Sequence, residues 1–292
     1  MPEDYIKAST SNEVTALLRR HGEKARVIGG GTMLYELESR GLLSGVTTLI
    51  DISKLGLDYV KEDSSGLRIG ASTTFTDALR SKQINSRPAF GALVDALSAI
   101  RPVQVRNMAT LGGAISSGLP GLDLPPASVA VRAKIALAGS RGRRTLDVED
   151  FFLGFLETAL KRGEFLMEVR VPRPPAHTGS AFQKLETNSV DWAVLSVATS
   201  VTLKNDKVSN ARIVFGGGVV GAVPMRATEA EEAMVEAAAT EDVIGRAAEE
   251  ASRSTEFADD ERASADYRRQ VARVLVRESL SNSVERARRD KG

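Results

Sequence analysis

Two glycine clusters about eighty residues apart constrain this chain more than any other feature. The first reads Val27-Ile28-Gly29-Gly30-Gly31-Thr32 and the second Ala109-Thr110-Leu111-Gly112-Gly113. Each follows residues able to form an apolar or β-prone strand. Glycine lets a backbone approach a ligand closely and adopt φ > 0 without steric cost. Successive exposed N–H groups in such a turn form a concavity for an anion. Two such turns predict two walls around one long ligand that carries phosphate. The common phosphate signatures are absent. There is no G-x-x-x-x-G-K-[ST], and the first cluster is not a G-x-G-x-x-G with an acidic residue ending the next strand. A dinucleotide would therefore be held by neither a P-loop nor a Rossmann turn. For either cluster alone, a tight turn that binds nothing is an equal alternative.

Length and composition set the remaining bounds. At 292 residues the chain fits two or three modules. Its hydrophobic content of 42% and charged content of 26% are those of a soluble globular protein. A formal net charge of +1 argues against a general footprint for nucleic acid or anionic membrane. No apolar run approaches the ~20 residues of a membrane span. The start, Met1-Pro2-Glu3-Asp4-Tyr5, is too polar for a secretory signal. Cysteine is absent, which excludes a disulfide, a thiol nucleophile and an iron–sulfur cluster held by this chain's own thiolates. A cytoplasmic location is the expectation. The two histidines, His21 and His177, are far apart and read as surface loop residues, so neither a His-based metal site nor a Ser-His-Asp triad is supported. Chemistry in such a chain belongs to a bound cofactor.

The element pattern divides the chain at Pro172-Arg173-Pro174-Pro175, where a helix or central strand cannot continue. Before it, the spacing predicts a helix over 9–21, a short strand over 25–28, a helix over 33–40 closed by Gly41, and a buried strand over 47–52. These make a small βαβ-like lobe. A hairpin over 59–69, a helix capped by Thr74, an apolar helix over 89–100, and short strands over 135–137, 144–146 and 165–171 follow. Gly118 to Pro126 reads as an ordered loop. After the prolines, 193–203 and 208–215 read as an antiparallel pair joined at Asn205-Asp206, followed by helices over 227–238, 241–252 and 266–286.

With these elements in place, the sequence resembles the FAD-binding medium subunits of molybdenum hydroxylases, the xanthine dehydrogenase and carbon monoxide dehydrogenase family. The family's A-G-G-[GQT]-[ST]-x-L is matched by Ile28 to Leu34, and its Q-V-R-N-x-A-T-[IL]-G-G by Gln104 to Gly113. Pro120-Gly121-Leu122-Asp123-Leu124-Pro125 resembles its P-x-x-D-L-P. Lys184-Leu185, Asp191-Trp192-Ala193, Gly216-Gly217-Gly218, Val223-Pro224-Met225-Arg226 and Tyr267-Arg268-Arg269 resemble its C-terminal motifs in order. The second motif is specific; the others are individually weak.

The resemblance implies an α+β fold: a two-lobed FAD-binding domain like that of vanillyl-alcohol oxidase relatives (1–55 and 56–175), then a C-terminal domain over 176–292 with antiparallel strands and helices. It implies FAD extended between the lobes. Cofactor contacts would come from Val27, Ile28, Gly29, Gly30, Gly31, Thr32, Met33 and Leu34, with the glycines on the pyrophosphate. A second group would be Val103, Met108, Ala109, Thr110, Gly112, Gly113 and Ile115, towards the flavin and ribityl chain. Leu122 would join them, and Asp123 would hydrogen-bond hydroxyls, or merely cap a turn. Leu166 would pack by the isoalloxazine and Lys184 would favour negative charge at its pyrimidine edge. Asp191 and Trp192 would be structural, with Trp192 between the modules. No side chain would be catalytic, since flavin N5 is the reactive atom.

Ala114, Leu119, Met33 and Thr187 depart from residues frequent in the family. The implied role is electron transfer: from a small 2Fe-2S subunit onto FAD and on to NAD or another acceptor. A large molybdenum-cofactor subunit would oxidise an aldehyde, purine, other N-heterocycle or CO, in a dimer of heterotrimers. The alternatives are a self-contained FAD-dependent oxidoreductase, for which no general base stands out, and a non-redox assembly scaffold.

Overall fold

A computed structural model describes residues 2–188 and 191–290. Its first lobe runs β1 (Asp4–Lys7), α1 (Ser11–His21), β2 (Ala25–Ile28), α2 (Thr32–Ser39) and β3 (Thr48–Asp51). The three strands form a parallel sheet in the order β1-β3-β2. α1 begins where the Thr10 hydroxyl accepts from the Glu13 N–H, and it buries Val14 and Leu18 against Ala25 and Ile50. β1 was hidden in the sequence because its side chains are mostly exposed, so no apolar alternation marks it.

The second lobe adds β4 (Val60–Asp63), β5 (Gly66–Gly70), α3 (Phe75–Arg80), α4 (Lys82–Asn85), α5 (Gly91–Ala99), α6 (Val103–Met108), α7 (Leu111–Ser116) and α8 (Leu124–Ala130). It continues through β6 (Lys134–Gly139), β7 (Gly142–Asp147), β8 (Phe152–Gly154), β9 (Glu157–Thr158) and β10 (Phe165–Pro172). Five strands pair antiparallel in the order β4-β5-β10-β6-β7. The first lobe is not separate from this sheet: Phe165, Met167 and Ala138 share a core with Val14, Leu18 and Ile50. Two expectations need correction here. The second glycine cluster follows a helix, α6, and itself opens α7, so no strand leads into it. Gly118 to Pro126 is not all loop, because Pro125 and Pro126 stand in the first turn of α8. Proline loses nothing there, since first-turn N–H groups have no intrahelical partner.

The C-terminal domain consists of β11 (Thr178–Leu185), β12 (Leu195–Lys204), β13 (Lys207–Gly216), β14 (Met225–Arg226), α9 (Thr228–Met234), α10 (Glu241–Ser254) and α11 (Ala265–Arg289). The strands form an antiparallel sheet in sequence order. Asn205 and Asp206, both at positive φ, make the β12–β13 turn. The sheet is apolar on both faces. Leu195, Val197 and Val201 meet the helices after it, while Phe182, Ala198 and Val214 join the core of the second lobe. The guanidinium of Arg286 reinforces that junction by chelating Asp95 of α5 at 2.6 and 2.9 Å.

Candidate functional site

A cleft of about 1570 Å³ opens between the lobes and reaches the C-terminal domain. Pockets for drug-sized ligands are about 300–1,000 Å³, so this one has room for a longer molecule. Both glycine clusters line it, but they do not face each other as two walls. They meet along one seam. A Cβ on Gly30 would lie 1.5 Å from the Met108 carbonyl oxygen, and one on Gly29 would lie 2.8 Å from Thr110 Oγ1. Close approach of the other cluster, by the backbone at Gly30 and by the Thr110 side chain at Gly29, is thus the first reason for these glycines.

The two clusters also differ in what their N–H groups do. Gly31, at φ 76°, is the N-cap of α2, and no side chain caps that helix. Its first-turn N–H groups therefore stand uncapped beside the cleft, at the positive end of a helix. In the second cluster the donors are already used. Leu111 N–H donates to the Thr73 carbonyl, Gly112 N–H to that of Ala71, and Gly113 N–H to Thr110 Oγ1. The expectation of a second anion concavity is corrected: Thr110 to Gly113 is a capped helix start, and Gly112 packs on Ala71.

The expected contact residues fall mostly around this cleft. Val27, Ile28, Gly29, Gly30, Gly31, Thr32, Met33 and Leu34 line it, as do Met108, Ala109, Thr110, Gly112, Gly113, Leu122, Asp123, Leu166 and Lys184. Leu166 stands at a bulge of β10, where the register with β6 shifts. Two expected residues are elsewhere. Val103 lies on the exposed side of α6, and Ile115 is fully buried in the core of the second lobe, where α7 turns it inward. His177 is in an exposed turn, whereas His21 is not a loop residue: it ends α1, half-buried, with Nδ1 3.4 Å from Thr48 Oγ1.

Asp123 and Lys184 give the cleft its electrostatic character. Lys184 is not at the surface; its Nζ donates to Asp123 Oδ2 at 3.0 Å with both side chains buried. Asp123 stands at the N-cap of α8, yet its side chain caps nothing. Its Oδ1 is buried with no hydrogen-bond partner. Burial pushes this carboxyl up to about 6, against the pull of Lys184 and with a smaller push from the Glu186 charge. A buried acceptor in this state calls for a donor, so the site fits a ligand with hydroxyl groups.

Trp192 lines the cleft as well. The Arg40 guanidinium lies 4.3 Å from the centre of its ring, an attraction of about 0.5–1 kcal/mol at exposed sites. Trp192 also packs against the cluster of Leu37, Leu43, Val46 and Leu119, and a Cβ on Gly121 would come within 3.1 Å of Trp192 Cβ. The carbonyls just after it, of Ala193 and Val194, accept from Arg262 and from the fully buried Arg268. The packing between modules expected of Trp192 is present, and its position lining the cleft was not foreseen. A lone tryptophan after an aspartate carries no periodicity that would place it over a cleft.

A parallel lobe and an antiparallel lobe around a dinucleotide-sized cleft, lined by an uncapped helix start and by an orphaned carboxylate oxygen, define a nucleotide-cofactor-binding protein outside the Rossmann class. Comparison with known proteins gives the family. Residues 1–174 match the FAD binding domain in molybdopterin dehydrogenase, and residues 180–283 the CO dehydrogenase flavoprotein C-terminal domain. The chain is 33% identical over 279 residues to the carbon monoxide dehydrogenase medium chain of Hydrogenophaga pseudoflava, covering 95% of this chain and 96% of that one. It is 30% identical to the glyceraldehyde dehydrogenase medium chain of Sulfolobus acidocaldarius, over 93% and 95% of the two. A solved structure of the Hydrogenophaga pseudoflava carbon monoxide dehydrogenase, lacking the Mo-pyranopterin moiety of its cofactor, superposes with a TM-score of 0.91 at 34% identity, covering 98% of each chain. The chain belongs to the family of FAD-binding subunits of molybdenum hydroxylases, and it is an oxidoreductase subunit. Among the described residues no helix is long and apolar enough to cross a membrane.

Proposed function

We propose that the chain holds FAD extended along the cleft and carries electrons between a 2Fe-2S subunit and a final acceptor, NAD or another. Bound FAD supplies the ability to collect electrons singly and release them in pairs. The chain's own residues bind, orient and shield. The uncapped start of α2, from Gly31 to Leu34, is suited to the pyrophosphate. Val27, Ile28 and Leu166 offer apolar surface along the cleft. Asp123 Oδ1 accepts from a sugar or ribityl hydroxyl, and Lys184 places a positive charge where electron uptake creates a negative one. Trp192, held under Arg40, keeps water from one end.

Substrate oxidation belongs in this reading to a separate molybdenum-cofactor subunit acting on an aldehyde, purine, other N-heterocycle or CO. A dimer of heterotrimers in the cytoplasm completes the proposal. The names of the relatives support the division of labour: two medium chains of comparable similarity belong to dehydrogenases of carbon monoxide and of glyceraldehyde. Substrates that different are chosen elsewhere than in this subunit.

The observation that carries the proposal is the orphaned Asp123 Oδ1 in a cleft that is also lined by an uncapped helix start. The test is an absorption spectrum of the chain, alone and in its complex, with and without added FAD. Flavin bands that dithionite bleaches, FAD recovered on denaturation, and weaker retention in Asp123→Asn are expected. A protein that takes up no flavin at any concentration, alone or assembled, refutes it.

A further inference from the structure

Lys184 is held from two sides, and only one of them belongs to the cleft. Besides Asp123, its Nζ lies 2.7 Å from Glu186 Oε2. That contact is an ion pair without hydrogen-bond alignment, since Oε2 has no hydrogen-bond partner. The other oxygen of Glu186 accepts from Arg101 Nε at 3.3 Å. Glu186 side-chain exposure is 14% and that of Arg101 is 68%, so the chain of charges runs from the buried cleft wall to the surface. Glu186 does not line the cleft. It follows the end of β11, two residues after Lys184, and alternate residues of an extended segment share a side. Among the described residues no other ion pair joins Asp123, Lys184 or Glu186. Two carboxylates thus share one buried ammonium, and Arg101 offsets the excess from outside.

Resting on the reading that the flavin ring lies beside Lys184, we propose that Glu186 is a positioning residue that holds the Lys184 ammonium and sets how strongly it favours electron uptake in the cleft, with Arg101 as its surface counterweight. The physical basis is simple. A negative charge behind Lys184 opposes the negative charge gained by a reduced ring. At an effective dielectric near 20, a unit charge about 10 Å away changes such an equilibrium by roughly tenfold. Arg101 acts in the opposite sense but from water, where salt screens it. No bond in these side chains forms or breaks. Both electrons come from the reductant and the accompanying protons from solvent.

The experiment uses the FAD-loaded chain in its complex, titrated with limiting dithionite against an indicator dye of matched potential. The readout is the ratio of reduced to oxidised flavin at fixed dye poise. Glu186→Gln should raise that ratio about tenfold, while Glu186→Asp, which keeps the charge, should stay within about twofold of the parent. Arg101→Gln should lower it by about twofold at low salt and not at high salt. Lys184→Met should lower it most. If Lys184→Met shifts the ratio and Glu186→Gln does not, the inference falls while the proposed cofactor position stands. Equal shifts in Glu186→Gln and Glu186→Asp would mean a merely structural role and also overturn it. If Lys184→Met itself has no effect, the cofactor position is wrong. Should Glu186→Gln fail to fold, an unchanged ratio in Arg101→Gln at low salt overturns the inference.

Discussion

Loading of the cleft should release a proton, and Asp123 is where it comes from. In the empty cleft its carboxyl is pushed by burial from an ordinary 3.8 up to about 6. Oδ2 has Lys184, but Oδ1 has nothing. A ligand hydroxyl donated to Oδ1 stabilises the ionised form and returns the carboxyl towards its ordinary range. Binding then favours the deprotonated protein. If a donor on Oδ1 returns the carboxyl fully to its ordinary value, affinity for FAD should fall about tenfold between pH 7 and pH 5, and about half of the protein should release a proton on binding at pH 6.

The sign for folding runs the other way. Because the carboxyl is raised in the folded chain, the empty protein binds more protons than the unfolded one between about pH 4 and pH 6. Its stability therefore falls as pH rises through that window, by up to about 3 kcal/mol from this group. Calorimetric titration of the FAD-stripped complex with FAD, in buffers of different ionisation enthalpy, reads the proton directly. Asp123→Asn cannot titrate and should show a flat pH profile, which also controls for titration of FAD itself. A wild-type affinity that does not change between pH 5 and pH 7, or an Asn variant with the same slope, would refute the reasoning.

The seam between the glycine clusters makes a sharper demand. Gly30→Ala puts a methyl 1.5 Å from a backbone oxygen, so the lobes must part, at a cost of about 3 kcal/mol or more in denaturant unfolding. Gly245→Ala, inside α10 with nothing within 4 Å of its Cβ, should instead raise the unfolding free energy, by about 1 kcal/mol. Arg268→Met should cost about 3–5 kcal/mol, because it strands the carbonyls of Val194, Ala258 and Ala263 that this buried guanidinium satisfies. Its partner Asp260 is raised by burial but lowered further by hydrogen bonds from Arg268 and the N–H groups of Arg262 and Ala263, to about 2. The stability this gives is present above the ordinary carboxylate value and is lost as pH falls towards 2, so acid unfolding should flatten in that range in the variant.

What the sequence made legible follows from where the physics is local. α1 declares its cap and its apolar stripe within one stretch, and Asn205-Asp206 declares the β12–β13 turn. The three C-terminal helices were read within a few residues of their observed bounds, except that α9 ends early, at Met234. β1 and β11 were not legible, because a parallel edge strand with exposed side chains and a strand that buries small residues show neither alternation nor β-branched runs. α6 and α7 are each 6 residues long and carry too few turns for a helical period.

The site divides on the same principle. That the two clusters were special could be read from glycine alone, but whether a glycine serves an anion or a neighbouring backbone depends on what lies across from it, and that is tertiary. Gly30 is explained by Met108 and Gly112 by Ala71, residues remote in sequence. Asp123 and Lys184 could be singled out, yet their pairing, and the oxygen left over, arise only once α8 and β11 meet. Glu186 could not be found at all, since its partner lies in a strand that the sequence concealed. The chemistry of this cleft therefore rests on what its side chains leave unsatisfied: Asp123 keeps one oxygen without a donor, and Lys184 shares its charge between a carboxylate that faces the cleft and one that does not.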